Sequence, residues 1–187
     1  MKLKGIVLAG GKSSRFGEDK ALARWEGATL LGRAVDLLSA LDLDPEVIVS
    51  PDKKYSFLTC PTHHDIVPEK GPLGGLYTAF SIFPESALLV LTCDMPLLTQ
   101  NILQELVRVY HESACPVVFG SSQIQQPFPG IYLSAFKPLV QECLDSNQPS
   151  LKHFLSLIPN LNFLPEPENK KIFLNVNTQE ELKAAEI

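Results

Sequence analysis

The sequence predicts a three-layer α/β fold, with a mostly parallel, doubly wound sheet covered by helices on both sides. Three observations predict it. Short apolar runs alternate with longer segments of helical periodicity along the whole chain. Runs such as GIVLA (5–9) and ALLVLT (87–92) are apolar on both faces, as in strands buried from two sides. No repeat or low-complexity tract interrupts the pattern, and the Pro-rich LPEPENKK (164–171) reads as a loop, not a linker. With 187 residues and 45% apolar content, the chain fits one domain spanning 1–187.

Each element follows in order. GIVLA is the first strand. ATLLGRAVDLLSAL (28–41) places Leu30, Leu31, Ala34, Val35, Leu38 and Leu41 on a wide apolar stripe, which predicts a helix. EVIVS (46–50) is a second strand, and DIV (65–67) is a weaker third. LGGLYTAFSIF (73–83) is a helix opened by Gly71-Pro72. ALLVLT is the central strand, and QNILQELVRVYHE (100–112) is amphipathic. PVVFG (116–120) and FPGIYL (128–133) read as strands. Helices are predicted over 134–145 and 150–158, and short strands near 161–164 and 172–175. TQEELKAAE (178–186) is a closing helix, with Thr178 and Glu181 in capping-box spacing.

Composition narrows the function. The net charge of −5 argues against a nucleic-acid partner. The four cysteines, Cys60, Cys93, Cys115 and Cys143, lack CxxC spacing, so neither a zinc site nor a redox motif is expected. They read as reduced, mostly buried thiols of a cytoplasmic protein. The first apolar stretch is too short for a signal peptide, and no run approaches the roughly 18 apolar residues of a membrane span. Successive His63, His64 and Asp65 would face opposite sides of a strand and would not converge on a metal. No Gly-x-Ser-x-Gly elbow is present.

In doubly wound sheets, ligands bind beyond the carboxyl ends of the strands. Two such loops stand out. LAGGKSSRFGEDKA (8–21) fails the P-loop pattern, because the first glycine would fall at Ile6. It also fails the dinucleotide fingerprint, because Lys12 occupies the second glycine position. Gly10 and Gly11 still let backbone N–H groups approach an anion, and Lys12, Arg15 and Lys20 supply charge. From the residues alone, the stretch is either a solvated turn or an anion cradle. Trp25 is expected to pack beneath it. In VLTCDMPLL (90–98), Asp94 lies just past the central strand. It suits Mg²⁺, a hard cation often shared with phosphates, or else caps the helix starting near residue 99.

LAGGKSSRFGEDKA closely resembles the signature L-A-G-G-x-S-x-R-M-G-x-D-K of the molybdenum cofactor guanylyltransferases, the molybdopterin-guanine dinucleotide biosynthesis protein A family. Leu8, Ala9, Gly10, Gly11, Ser13, Arg15, Gly17, Asp19 and Lys20 match, and Phe16 replaces methionine. Cys93, Asp94 and Pro96 resemble the family's C-D-x-P motif, whose aspartate binds the metal. KGPLGGL (70–76) resembles its G-P-L-x-G segment near the base, QQPFPGIY (125–132) its Q-P-L-x-x-x-Y segment on the acceptor side, and NVNTQEEL (175–182) its N-x-N-T-P-E-E-L segment. The matches run from residue 6 to 182. An asparagine that the family often carries after the second strand has Ser50 or Asp52 as its counterpart, or none.

The resemblance implies a Rossmann-like fold of nucleotide-diphospho-sugar transferase type. It implies transfer of GMP from GTP to molybdopterin, with Mg²⁺ as cofactor and transient contact with molybdoenzymes or other cofactor-biosynthesis proteins. It puts Leu8, Ala9, Gly10, Gly11, Lys12, Lys20, Asp94 and Gly71 at the GTP, with Asp65 or Glu69 at the base. Arg15, Lys20 and Asp94 become catalytic, and Asp94 the metal ligand. Gln126, Pro127, Tyr132, Asn175 and Asn177 fall on the acceptor side, and Asn175 or Asn177 could also offer a second metal ligand. A related transferase using CTP or a sugar phosphate, and a non-catalytic cofactor carrier, are the alternatives.

Overall fold

A computed structural model describes residues 1–10 and 16–185. Nine strands and six α-helices are present among them. In chain order they are β1 (Lys2–Ala9), β2 (Arg24–Trp25), β3 (Ala28–Thr29), α1 (Leu30–Ser39), β4 (Pro45–Val49), β5 (Thr62–His64), α2 (Gly71–Ile82), β6 (Ser86–Thr92) and α3 (Gln100–Ser113). Then come β7 (Val117–Gly120), β8 (Gln125–Leu133), α4 (Lys137–Asp145), α5 (Leu151–Leu157), β9 (Asn162–Leu164) and α6 (Gln179–Ala185).

Seven strands form one sheet in the order β5-β4-β1-β6-β8-β7-β9. β5, β4, β1 and β6 pair in parallel, β8 runs antiparallel between β6 and β7, and β9 is parallel to β7. The sheet is therefore parallel except for β8. Its reversal brings the first residues of β8 to the rim where the other strands end.

Alternate residues of β1 identify the two covering layers. Gly5 lies against Leu38 of α1, where an added Cβ would stand 3.0 Å from that side chain. Leu8, on the other face, meets Gly75 of α2. α1 and α2 thus cover opposite faces. α3 continues the α1 layer, since Gln100 at its start donates to the Ala40 carbonyl at 2.8 Å. α4 packs on α2, and α5 packs on α4. Central β6 is wholly buried over Ser86–Leu91, which accounts for its uninterrupted apolar sequence.

A smaller apolar cluster sits apart from this main core. It joins Phe16, Ala23, Trp25, Leu30, Val176 and Leu182. Trp25 does pack beneath the end of the first loop, as its sequence position suggested. The cluster ties that loop, the β2–β3 hairpin and the 176–182 segment together.

Four local expectations change. The strand expected over 65–67 lies earlier, at Thr62–His64. The Asp65 carboxylate accepts from the Val67 N–H at 2.9 Å, an Asx-type turn that diverts the chain from the sheet. The strand expected over 172–175 is a 3-10 turn, Lys170–Phe173, started by Asn169 accepting from the Lys171 N–H at 3.2 Å. The helix expected over 134–145 begins as a 3-10 turn, Ser134–Phe136, before α4. The β2–β3 hairpin had no long apolar run to announce it. It turns on Glu26 and Gly27, both with positive φ. The capping box is present: Thr178 Oγ1 accepts from the Glu181 N–H at 3.1 Å, and Glu181 accepts from the Thr178 N–H at 3.2 Å. All four cysteines are free thiols; Cys93 and Cys143 are buried, and Cys60 and Cys115 half-buried.

Candidate active site

The loops after β1, β4, β5 and β6 enclose a cavity of about 540 Å³ at the carboxyl rim of the sheet. Leu8 and Gly10 form its floor beside β1. Ser50, Pro51, Asp52 and Lys53 form one wall. Asp65, Pro68, Glu69 and the first turn of α2 form another. Lys20, Thr92, Cys93 and Asp94 close the remaining side.

The chemistry concentrates on that last side. β6 ends at Thr92, and the next turn presents Asp94 to the cavity. Lys20 opens a short 3-10 turn, Lys20–Leu22, and reaches across to it. The Lys20 ammonium donates to Asp94 Oδ2 at 2.8 Å, with both side chains 19% exposed. The same Nζ lies 3.3 Å from Asn177 Oδ1. The Val176 N–H donates to the Asp94 carbonyl at 2.9 Å, which fixes the asparagine segment beside the aspartate. Three distant stretches of sequence therefore converge on one ammonium group.

Asp94 caps no helix. α3 begins after Thr99, and no side chain caps its first turn. Of the two readings of this carboxylate, the cap is removed by the geometry. Among the described residues, its second oxygen, Oδ1, is buried without a hydrogen-bond partner, and so is Thr92 Oγ1. A buried acceptor left unsatisfied carries a desolvation cost, which marks a place for a ligand. A divalent cation fits that oxygen. Among the described residues no group of three or more His, Cys, Asp or Glu side chains gathers into a cage. One carboxylate with an amide oxygen nearby is the donor set of an ion that keeps waters and shares substrate phosphates, as Mg²⁺ does.

Cys93 precedes Asp94 and is not a nucleophile. Burial first, and then the Asp94 charge, push its thiol up to about 12, so it stays protonated.

On the opposite wall, Asp65 Oδ1 accepts from Thr78 Oγ1 at 2.7 Å as well as from the Val67 N–H. Asp65 Oδ2 packs against Gly74, where an added Cβ would also collide with the Val67 carbonyl. Gly74 is therefore required for the loop to close on α2. Glu69, at φ +67, and Gly71, at φ +58, carry the chain around the mouth. Both Asp65 and Glu69 line the cavity, but Asp65 already spends one oxygen on holding its own loop.

The remaining expected residues separate into groups. Leu8, Gly10, Gly71, Lys20 and Asp94 line the cavity. Ala9 is buried at the end of β1. Gly11, Lys12 and Arg15 lie outside the described residues. Gln126, Pro127 and Tyr132 do not line the cavity. Gln126 Nε2 donates to the Phe128 carbonyl at 3.0 Å. Tyr132 is fully buried between Phe128 and Phe154, and its hydroxyl donates to the Pro127 carbonyl. Tyr132 thus shapes the start of β8 from inside the core and presents no surface to a substrate. Asn175 and Asn177 flank the buried Val176, and only Asn177 reaches Lys20. Sequence reasoning passed over Lys53, which lines the cavity from the loop after β4. Its only signal was a pair of lysines just beyond a strand end.

Comparison with known proteins gives consistent results. The family described as "MobA-like NTP transferase domain" matches residues 5–160. A protein of Flavobacterium johnsoniae named "Probable molybdenum cofactor guanylyltransferase" is 31% identical over 180 residues, covering 95% of this chain and 93% of that protein. A Bacillus cereus protein of the same name is 31% identical over 196 residues, covering 99% of this chain and 96% of that protein. Among solved structures, molybdopterin-guanine dinucleotide biosynthesis protein A from Archaeoglobus fulgidus superposes with a TM-score of 0.82 at 20% identity, covering 98% of this chain and 96% of that one. That last likeness is one of fold.

Proposed function

Since the chain belongs to the MobA-like NTP transferase family, we propose that it is a molybdenum cofactor guanylyltransferase. On this reading it transfers GMP from GTP to molybdopterin, forming molybdopterin guanine dinucleotide and pyrophosphate. The observation that carries it is the Lys20–Asp94 pair, whose second Asp94 oxygen has no partner among the described residues, set at the rim of a nucleotide-sized cavity. The substrate assignment draws on the names of the relatives.

The attacking group is a phosphate oxygen, ionised at neutral pH, so no general base is needed. Catalysis reduces to positioning and charge stabilisation. Gly10, with Gly11 and Lys12, receives the triphosphate, and Arg15 neutralises the departing pyrophosphate. Lys20 stabilises charge developing at the α-phosphate. Its bond to Asp94 keeps the ammonium at the right height above the sheet, and Asn177 limits its sideways movement. Asp94 Oδ1 would hold Mg²⁺, which when bound screens repulsion between the two phosphate substrates. Asp65 or Glu69 faces the guanine edge. Gln126, Pro127, Asn175 and Asn177 belong to the acceptor side, where Tyr132 acts only through the strand it supports. The chain 1–187 works as one nucleotidyltransferase domain. Among the described residues no helix is long and apolar enough to cross a membrane. On this reading the enzyme is cytoplasmic and makes transient contact with molybdoenzymes or other cofactor-biosynthesis proteins.

The test is pyrophosphate release with molybdopterin as acceptor, comparing the four NTPs with and without Mg²⁺. GTP is expected to be used in strong preference, and only with the metal. Equal use of CTP, or full turnover in the presence of EDTA, would overturn the assignment.

A further inference from the structure

Asp19 directly precedes Lys20 and has no part in the chemistry described above. Its carboxylate is nonetheless the meeting point of three donors. Oδ1 accepts from the Ala21 N–H at 3.1 Å, which caps the short turn presenting Lys20. The Tyr55 hydroxyl approaches both oxygens, at 3.0 Å from Oδ2 and 3.2 Å from Oδ1. Lys53 Nζ lies 2.9 Å from Oδ2.

Capping alone would need one of these contacts. The other two come from the loop after β4, whose residues Ser50, Pro51, Asp52 and Lys53 wall the cavity. The Asp19 side chain is 15% exposed, so its charge is little screened by water. Tyr55 is buried, and burial and then the Asp19 charge hold its phenol well above the ordinary range.

A 3-10 turn of this length has little rigidity of its own. The long side chain of Lys20 also needs an anchored backbone if its ammonium is to stay in register with a reacting phosphate. Asp19 supplies that anchor from the cavity wall.

We propose that Asp19 is a positioning residue for Lys20, braced by Tyr55 and Lys53, so that the loop after β4 sets where the Lys20 ammonium stands. The assignment of a kinetic role rests on the nucleotidyl-transfer reading above. The placement of Lys20 does not, and the two are measured separately.

The experiment uses Asp19→Asn, Tyr55→Phe and Lys53→Met in the full chain, each alone and combined with Lys20→Met. Asp19→Asn keeps an oxygen for the Ala21 N–H but loses the charge. Tyr55→Phe keeps the buried ring, and supplies the test if Asp19→Asn fails to fold. The first readout is the acetylation rate of Lys20 by acetic anhydride, followed by peptide mass spectrometry against exposed Lys2. Lys20 is expected to react several-fold faster in Asp19→Asn and Tyr55→Phe. The second readout is steady-state kinetics. kcat is expected to fall about tenfold with the KM for GTP nearly unchanged, the signature of lost transition-state alignment. On a Lys20→Met background, Asp19→Asn should cost nothing further. Unaltered Lys20 labelling, or losses that multiply fully with Lys20→Met, would overturn the proposal. Absence of GTP turnover in the wild type would overturn the nucleotidyl-transfer reading and leave the labelling contrast to decide the brace.

Discussion

Two lysine–carboxylate pairs, one within the sheet and one at its carboxyl rim, lie under nearly equal cover. Lys4 and Glu46 are 3.2 Å apart, with side chains 18% and 12% exposed. Lys20 and Asp94 are 2.8 Å apart, both 19% exposed. Separation and burial do not tell them apart; hydrogen-bond satisfaction does. Glu46 uses one oxygen for Lys4 and the other for His63 at 2.7 Å, while Lys4 also sits over the Phe83 ring. That network is closed. Asp94 leaves one buried oxygen with nothing to hold among the described residues. Glu46 lies within β4, where neighbours surround it, and Asp94 lies just past the end of β6, where the cavity begins. A saturated pair holds a fold together, and an unsaturated one is held ready by it.

Substitutions can break this contrast. The largest effect is expected at Asp94. Asp94→Ala should lower kcat by at least about a thousandfold, since it removes the metal oxygen and the partner of Lys20 together. Its melting temperature should stay within a few degrees of wild type. A variant with wild-type pyrophosphate release at saturating GTP and Mg²⁺ would dissolve the distinction. Next comes Lys20→Ala, expected to cost about 2 to 4 kcal/mol of transition-state stabilisation. The measure is kcat, and an effect confined to nucleotide affinity would contradict the role.

Glu46→Gln should behave in the opposite way. It leaves the half-buried Lys4 without its counter-charge, at an expected cost of about 1 to 3 kcal/mol of folding stability. kcat/KM should not change. Urea denaturation and kinetics on the same preparation decide it. The smallest effect is expected at a third kind of pair, Arg108 between Glu105 and Glu112 on the exposed side of α3. Its hydrogen bond to Arg108 lowers the Glu105 carboxyl from its ordinary value. Any stability from this shift is present above the unfolded glutamate pKa and lost as pH falls through the lowered one. Water and salt screen it, so Arg108→Ala should leave the melting temperature at pH 7 unaltered within error.

The sequence made the sheet legible wherever one strand's own pattern was enough. GIVLA and ALLVLT became β1 and β6 because both faces of each are buried. Legibility failed where short polar side chains override the apolar pattern. Asp65 turns the chain away from a strand, and Asn169 starts a 3-10 turn over KKIF. The site divides in the same way. Asp94 and Lys20 could be named singly, from a strand end and a basic glycine loop. Their direct contact, and the arrival of Asn177 beside them, depend on tertiary packing of Phe16, Trp25 and Val176 that no local spacing encodes. Tyr132 shows the reverse case. Its motif was visible, but the side chain is consumed by the core.

Because Val176 holds the Asp94 carbonyl, the site is complete only once residues 176 and 177 have been made. The ribosome delivers Lys20 and Asp94 long before it reaches Asn177. Just before that point the polypeptide already carries every sheet strand and cavity-lining residue, but not the amide that meets Lys20. A product released by premature termination before residue 176 would keep the sheet strands and lose the Asn177 oxygen beside Lys20 and the Val176 tie to Asp94.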